Sequence, residues 1–214
     1  NAQLRIMDER KDDFLSRVSH ELRTPMTALR SMTEILIETP DLDQQEQDKF
    51  LSVIAVESKR LTRLLDEILD ISRLEAGAVE PDLVSVDPVA VMRSAMQVLE
   101  GSARHKGVDV QDKLPQDYAF TVLADEDRLK QVFVNLITNA IKYNDSQKPA
   151  LFLSARLEGK SILLEIADNG PGIAPDHQAS LFTKFSRSWQ DVAKTASGTG
   201  LGLAISRKLV ALMG

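Results

Sequence analysis

The chain has 214 residues, of which 43% are hydrophobic, and a formal net charge of −6. It has no cysteine, and its histidines lie apart at His20, His105 and His177, which excludes disulfides, a cysteine nucleophile and a histidine metal cluster. The acidic balance without a basic patch argues against nucleic-acid binding, and no run of about 18 apolar residues that could span a membrane occurs.

Residues 1–38 are predicted to form one long amphipathic helix. His20 lies nearly opposite its apolar stripe, with Thr24 beside it and Glu21 at the flank. Pro25 removes a backbone hydrogen bond and is expected to kink the helix. A lone exposed histidine is usually only solvated, so this segment alone leaves its role open. The stripe consists of Leu4, Met7, Phe14, Leu15, Val18, Leu22, Met26, Leu29, Met32 and Leu36.

Pro40 breaks this helix, and Asp41 or Asp43 could cap a second one over residues 44–76. Glu57 is the one charge near its apolar seam. Two long helices joined by a short turn predict an antiparallel hairpin, and because the seam is narrow, we expect two hairpins to pair as a homodimeric four-helix bundle. The seam of the second helix consists of Phe50, Val53, Ile54, Leu61, Leu64, Leu65, Ile68 and Ile71.

After residue 80 the pattern changes to short strands and helices. Strands are predicted at residues 83–86, 108–110 and 118–124, and helices at 88–106 and 125–143, followed by a strand hairpin around Gly159. A loop with a short turn and a final helix complete an α/β sandwich. The buried side of the 125–143 helix is predicted to be Leu129, Val132, Phe133, Leu136, Ile137 and Ala140. His105 and His177 are interpreted as ordinary surface residues.

Three segments of this half carry chemistry. Asn135 and Asn139 lie four residues apart on one helix face, and an amide oxygen is a hard ligand suited to Mg²⁺ beside phosphates. The sequence DNGPG at 168–172 closes an apolar strand, and GTGLG at 198–202 opens a helix whose N–H groups could face phosphate. Each has an ordinary alternative: local capping, a plain turn and a flexible linker. Their combination in this order is the informative signal.

With these segments, the sequence resembles the catalytic core of the sensor histidine kinases of two-component signalling. FLSRVSHELRTPMTAL (14–29) is similar to the phosphoacceptor box of that family. NLITNAIKY, DNGPGI, LFTKF and GTGLGL are similar to its N, G1, F and G2 boxes, in family order. The resemblance implies a dimerisation and phosphotransfer hairpin over 1–80 and an ATP-binding α/β-sandwich domain over 81–214. Further strands would complete that domain's sheet beyond Gly214.

The resemblance also implies roles for residues in the first helix. His20 would take the γ-phosphate of ATP. Glu21 would act as general base on the other ring nitrogen, and Thr24 would orient a water for dephosphorylating the partner protein.

For the nucleotide site, the resemblance implies Mg²⁺ coordination by Asn139 with help from Asn135. Lys142 would contact phosphate, Tyr143 the adenine face, and Asp168 the adenine amino group. The remaining implied residues are Gly170 and Gly172 at the adenine wall, Gly198, Thr199, Gly200, Leu201 and Gly202 under the phosphates, Phe182 and Phe185 at the lid base, and Arg187 near the γ-phosphate. Trp189 is a candidate lid contact.

The implied partner is the receiver domain of a response regulator, and the implied location is the cytoplasm, with membrane anchoring of the full-length protein left open. Two other functions remain as alternatives: a gyrase- or chaperone-type ATPase, and a non-catalytic dimer scaffold. The phosphoacceptor-like helix argues against the first, and the intact Asn139, Asp168 and glycine loop against the second.

Overall fold

A computed structural model of the chain describes residues 2–116, 120–185 and 199–214, with side chains described from residue 15 onward. The backbone divides into two compact units, residues 1–72 and 73–214. None of the described helices is long and apolar enough to cross a membrane. The predicted domain boundary at residue 80 stays a prediction.

The first unit is a hairpin of two long helices, as the apolar spacing predicts. Helix α1 spans Ala2–Glu38 and α2 spans Gln44–Glu75, so that α2 ends in the second unit. Asp43 caps α2, because its Oδ1 accepts a hydrogen bond from the backbone N–H of Glu46 at 2.8 Å. Of the two capping candidates, the structure therefore selects Asp43 over Asp41.

In this single chain the hairpin leaves much of the predicted apolar stripes exposed. Leu15 and Met26 of α1 are 50% and 58% exposed, and Leu65 of α2 is 46% exposed. Leu64 and Ile71, by contrast, are buried. Intrachain packing therefore covers only part of the predicted stripe on each helix.

The second unit contains two small sheets. Strands β1 (Val84–Val86) and β3 (Val122–Ala124) pair antiparallel. Strands β2 (Asp109–Lys113), β4 (Ala150–Glu158) and β5 (Ser161–Asp168) form the other sheet in the order β2-β4-β5. Strand β2 is parallel to β4, and β4 is antiparallel to β5.

Helices α3 (Pro88–Lys106) and α4 (Glu126–Tyr143) contribute to the core of this unit together with β4. Aspartates cap both helices: Asp87 accepts a hydrogen bond from the backbone N–H of Val89, and Asp125 accepts one from that of Arg128. A short helix α5 (Pro175–Gln178) and a final helix α6 (Gly202–Met213) follow. The predicted fold class, a helical hairpin followed by an α/β domain, is confirmed.

The deviations from prediction concern ends and faces of elements. The strand predicted at 118–124 covers only Val122–Ala124, and residues 117–119 lie outside the described part. Strand β2 extends to Lys113, because each of its residues pairs with β4. On α4, Leu129 and Leu136 are half-buried rather than buried, whereas Ile141 is buried. The strands expected beyond Gly214 stay a prediction.

Candidate active site

His20 lies exposed on α1, as its position opposite the apolar stripe predicts. The Oγ1 of Thr24 donates a hydrogen bond to the carbonyl of His20 at 3.4 Å. Pro25 is buried inside the same helix and has no N–H, so this turn has one backbone hydrogen-bond donor fewer than usual. The turn that presents His20 is therefore less strongly bonded along its backbone than an ordinary helical turn.

Glu21 takes part in a cluster of charges between the two helices of the hairpin. The guanidinium of Arg60 on α2 lies 3.7 Å from the Glu21 carboxylate and 3.5 Å from that of Glu57. All three side chains are about one-fifth exposed. Sequence reasoning noted Glu57 near the seam but missed Arg60, although its i,i+3 spacing from Glu57 is a known pairing distance.

Helix α4 carries the two candidate metal-binding amides. Asn139 is half-buried, and its side chain makes no hydrogen bond within the described ranges. Asn135 is hydrogen-bonded to α6, because its Nδ2 donates to the carbonyl of Gly202 and to Oγ of Ser206, each at 3.3 Å. The two amides thus differ: Asn135 joins α4 to α6, and Asn139 remains available for a ligand.

At the end of α4, Lys142 and Tyr143 lie against each other. The Lys142 ammonium donates to the Tyr143 hydroxyl at 3.0 Å and lies 4.6 Å from the centre of its ring. Lys106 of α3, which sequence reasoning missed, donates to the terminal carbonyls of Ile141 and Lys142. A cation at these carbonyls stabilises the C-terminal end of α4.

The turn after β5 is built around the Asp168 carboxylate. Oδ1 of Asp168 accepts a hydrogen bond from the backbone N–H of Gly170 at 2.8 Å. A Cβ on Gly170 would lie 2.7 Å from that oxygen and 3.3 Å from Cα of Asn144, so this close approach requires glycine. Gly172 follows in the same loop with φ of +71°.

A network of amides around the buried Asn144, which sequence reasoning missed, holds this turn to the end of α4. Asn144 is 2% exposed, and its Nδ2 donates to the carbonyl of Ala150 and to Oδ1 of Asn169. Asn169 also accepts from the backbone N–H of Ala150 and donates to the carbonyl of Lys148. The only sequence signal was an asparagine just after a helix, which by itself indicates capping.

The described part of the glycine loop begins at Thr199. Its Oγ1 accepts a hydrogen bond from the backbone N–H of Leu201 at 3.3 Å, and Leu201 is fully buried. Gly200 has φ of +70°, which favours glycine, and Gly202 is the first residue of α6. Gly198 lies outside the described residues.

The two phenylalanines of LFTKF differ in burial. Phe185 is buried and Phe182 is 43% exposed. Between them, Lys184 forms an ion pair of 2.7 Å with Glu75 at the end of α2, within the second unit. Arg187 and Trp189 lie outside the described residues, so their predicted roles stay predictions.

Together these contacts assemble one site from three separate sequence motifs. Asn135 ties the N box to the G2 box, and Asn144 ties the end of the N box helix to Asn169 of the G1 box. In the described part of the chain no cluster of His, Asp or Glu side chains could hold a metal ion. The residues fit a nucleotide-borne Mg²⁺, because a neutral amide oxygen such as that of Asn139 complements phosphate ligands.

Comparison with known proteins identifies the family. Residues 10–77 match the His Kinase A (phospho-acceptor) domain, and residues 124–214 match the histidine kinase-, DNA gyrase B-, and HSP90-like ATPase domain. The virulence sensor protein BvgS of Bordetella bronchiseptica is 38% identical over 207 residues, which are 95% of this chain. The chain belongs to the sensor histidine kinases. It carries the two domains of a protein histidine kinase, and the resemblance inferred from the five motifs is confirmed.

Other relatives agree with this assignment of the sensor kinase core. The sensor-like histidine kinase SenX3 of Mycolicibacterium smegmatis is 33% identical over 96% of this chain and 52% of its own length. Among solved structures, the Acinetobacter baumannii histidine kinase AdeS has a TM-score of 0.68 at 26% identity, covering 90% of this chain and 86% of that one. The present chain spans only 17% of the length of BvgS.

Proposed function

We propose that this kinase core transfers the γ-phosphoryl group of ATP to His20 and then passes it to an aspartate of a response regulator. The observation that carries the proposal is the pairing of two sites in one chain. An exposed histidine followed by an acid lies on the α1 face, and the N, G1 and G2 motifs are joined by hydrogen bonds in the ATPase domain.

In the proposed reaction one imidazole nitrogen of His20 donates its lone pair to the γ-phosphorus. The bond from that phosphorus to the β,γ-bridging oxygen breaks, and its electron pair leaves with ADP. Glu21 accepts the proton from the other ring nitrogen, so that the imidazole ring of the product is uncharged and the negative charge lies on the phosphoryl group. The exposed position of His20 allows both the nucleotide and the receiver domain to reach it in turn.

The nucleotide would be held by the residues implied by the motifs. Asp168 would accept a hydrogen bond from the adenine amino group, with Tyr143 and the Gly170 loop at the ring. Lys142 and the N–H groups at the start of α6 would face the phosphates. Phosphoryl transfer needs positioning and charge neutralisation more than covalent chemistry from the protein, and these groups supply both.

Mg²⁺ would bind Asn139 together with phosphate oxygens, and when bound it neutralises charge on the triphosphate. Asn135 uses its N–H₂ group at α6, which leaves its carbonyl oxygen as the atom that could assist. We therefore assign Asn139 the main role and Asn135 a largely structural one.

We further propose a homodimer through the hairpin. Leu51, Leu65 and Leu69 lie on one side of α2 and are 52%, 46% and 54% exposed in the single chain. Leu15 and Met26 form a similar stripe on α1. Pairing of two hairpins would remove these side chains from water and complete a four-helix bundle.

The receiver domain would dock around His20, where Thr24 would serve a second reaction. Thr24 is exposed one turn after His20, and its hydroxyl could orient a water that hydrolyses the regulator's phosphoaspartate. The histidine kinase ThkA, solved with the response regulator protein TrrA, has the same fold at 23% identity and a TM-score of 0.69. It is the structural precedent that motivates this partner.

Incubation with γ-labelled ATP and Mg²⁺ tests the proposal. Because a phosphohistidine is acid-labile and base-stable, we expect a label with that stability in the wild type and none in His20→Gln. Circular dichroism of both proteins checks that the substitution leaves the helices intact. Steady phosphate release without protein labelling would instead indicate an ATPase of the gyrase or chaperone type.

A further inference from the structure

The charge cluster between α1 and α2 is the feature that the proposed function leaves unexplained. Arg60 faces two carboxylates at once, Glu21 at 3.7 Å and Glu57 at 3.5 Å. The three side chains are only 22%, 19% and 21% exposed. Partly buried charges are costly unless paired, so a cluster in this position calls for a role beyond solubility.

Glu57 holds the cluster in place. Its Oε2 is buried and has no hydrogen-bond partner within the described part of the chain, and the Arg60 guanidinium is the cation facing it. The two residues are three positions apart on the same helix, where side chains meet. Glu57 therefore restrains Arg60 from its own helix and directs the guanidinium toward α1.

Arg60 in turn reaches across the hairpin to Glu21. At 3.7 Å the contact is an ion pair that is too long for a hydrogen bond, so it attracts the carboxylate without occupying a specific lone pair. A carboxylate offers about four acceptor sites, which leaves Glu21 able to take a proton from an imidazole. Arg60 thus restrains Glu21 while leaving its basic function open.

We infer that Arg60 is a positioning residue for phosphorylation of His20: anchored by Glu57, it holds the Glu21 carboxylate where that group can accept the imidazole proton. This rests on the proposed function, since it presumes that Glu21 is the base. Without Arg60, two carboxylates would face each other without the cation between them, and Glu21 would move away from Glu57 and lose its orientation.

Single-turnover autophosphorylation of the whole chain, measured over a range of ATP concentrations up to saturation, tests the inference. We expect Glu21→Gln to slow labelling by about 100-fold or more, as removal of a general base does. Arg60→Ala should slow it by about tenfold through loss of orientation, with the KM for ATP unchanged, and Arg60→Lys should restore part of the rate. The matched control is Arg63→Ala, one turn along α2, which is exposed and has no ion pair among the described residues.

The double variant separates positioning from a structural role. If Arg60 acts through Glu21, adding Arg60→Ala to Glu21→Gln should change the rate by less than about twofold, because the two effects share one route. A further tenfold loss in the double variant would overturn the inference and indicate a general role in hairpin stability. Thermal melts and light scattering confirm that each variant remains folded and dimeric to the same extent as the wild type.

Two further outcomes distinguish failure of the inference from failure of the proposed function. If Glu21→Gln labels at the wild-type rate while His20→Gln does not label, the inference is overturned and the kinase proposal stands. If His20→Gln labels like the wild type, the proposed phosphoacceptor is wrong, and the role of Arg60 is rejected with it.

Discussion

At Gly170 the backbone and the Asp168 carboxylate are so close that a single methyl group decides whether the turn can form. A Cβ there would come within 2.7 Å of Oδ1 of Asp168, an oxygen that also accepts the Gly170 N–H. Relief of this clash requires the carboxylate or the backbone to move. Either movement changes the group that we assign to the adenine amine.

We therefore expect Gly170→Ala to weaken ATP binding by about tenfold or more, which corresponds to about 1.4 kcal/mol or more of binding free energy. Titration of a fluorescent ATP analogue measures the effect. The control is Gly101→Ala in α3, where a Cβ meets nothing within 4 Å, and this substitution should leave nucleotide affinity unchanged. Equal affinities of Gly170→Ala and wild type would remove Asp168 from the adenine site.

Asn144 is a second single residue on which local structure depends, because its side chain joins the end of α4 to the turn after β5. It is 2% exposed and donates to Ala150 and Asn169. We expect Asn144→Ala to destabilise the ATP-binding unit by about 1–3 kcal/mol, because it removes the two hydrogen bonds of a buried amide and also takes away the Oδ1 that accepts from the backbone N–H of Ser146. Urea unfolding followed by circular dichroism measures this.

The control for that experiment is Ser146→Ala. The Ser146 hydroxyl makes a longer bond of 3.3 Å to Oδ1 of Asn169, which has other donors. We expect less than about 0.5 kcal/mol of destabilisation from it, as for most surface substitutions. Similar losses of unfolding free energy in the two variants would show that the hydrogen bonds of Asn144 do not stabilise the unit more than an ordinary surface contact does.

The sequence singles out Asp168 and Asn139 as candidate site residues, whereas it gives no sign of Asn144 or Arg60. The first two stand in segments whose spacing and residue types indicate a function. Asn144 and Arg60 act through partners that become neighbours only after folding, as with Asn144 and Asn169 or Arg60 and Glu21. Such long-range pairs leave no periodic signal in a single sequence.

At the scale of elements, helices were predicted better than strands. The ends of α3 and α4 follow from side chains local in sequence, since Asp87 and Asp125 cap them. Strand limits depend on the partner strand: β2 extends to Lys113 because β4 lies alongside it. The exposed faces of α1 and α2 show the same dependence on a partner, because one chain leaves them unpaired.

The exposed stripe of α2 gives the prediction at this scale. Leu65→Asp would place an unpaired charge in the proposed dimer interface, at a cost of about 3–5 kcal/mol. We expect the dimer dissociation constant to rise by roughly 100-fold or more, measured by light scattering over a concentration series. Ser52→Asp, an exposed polar position on the same helix, should leave the dimer intact. A dimer undisturbed by Leu65→Asp would place the interface elsewhere.

At the scale of the whole molecule, the order of the motifs along the chain was sufficient to predict both units and the order in which they follow each other. Residues 10–77 and 124–214 match the two family domains in that order. What sequence reasoning could not give is how the N, G1 and G2 motifs are fastened to one another. The structure shows that asparagine amides do this, with Asn135 bonded to α6 and Asn144 to the turn after β5.

The central claim is that the ATP site of this chain phosphorylates His20, and mapping the modified peptide tests it most directly. After incubation with ATP and Mg²⁺, tryptic digestion at neutral to basic pH and mass spectrometry should place one phosphoryl group on the peptide 18–23, which contains His20. The Asn139→Ala variant should show no such modification, because the nucleotide site would lack its main metal ligand. A phosphoryl group on another peptide, or an unchanged modification in Asn139→Ala, would contradict the account.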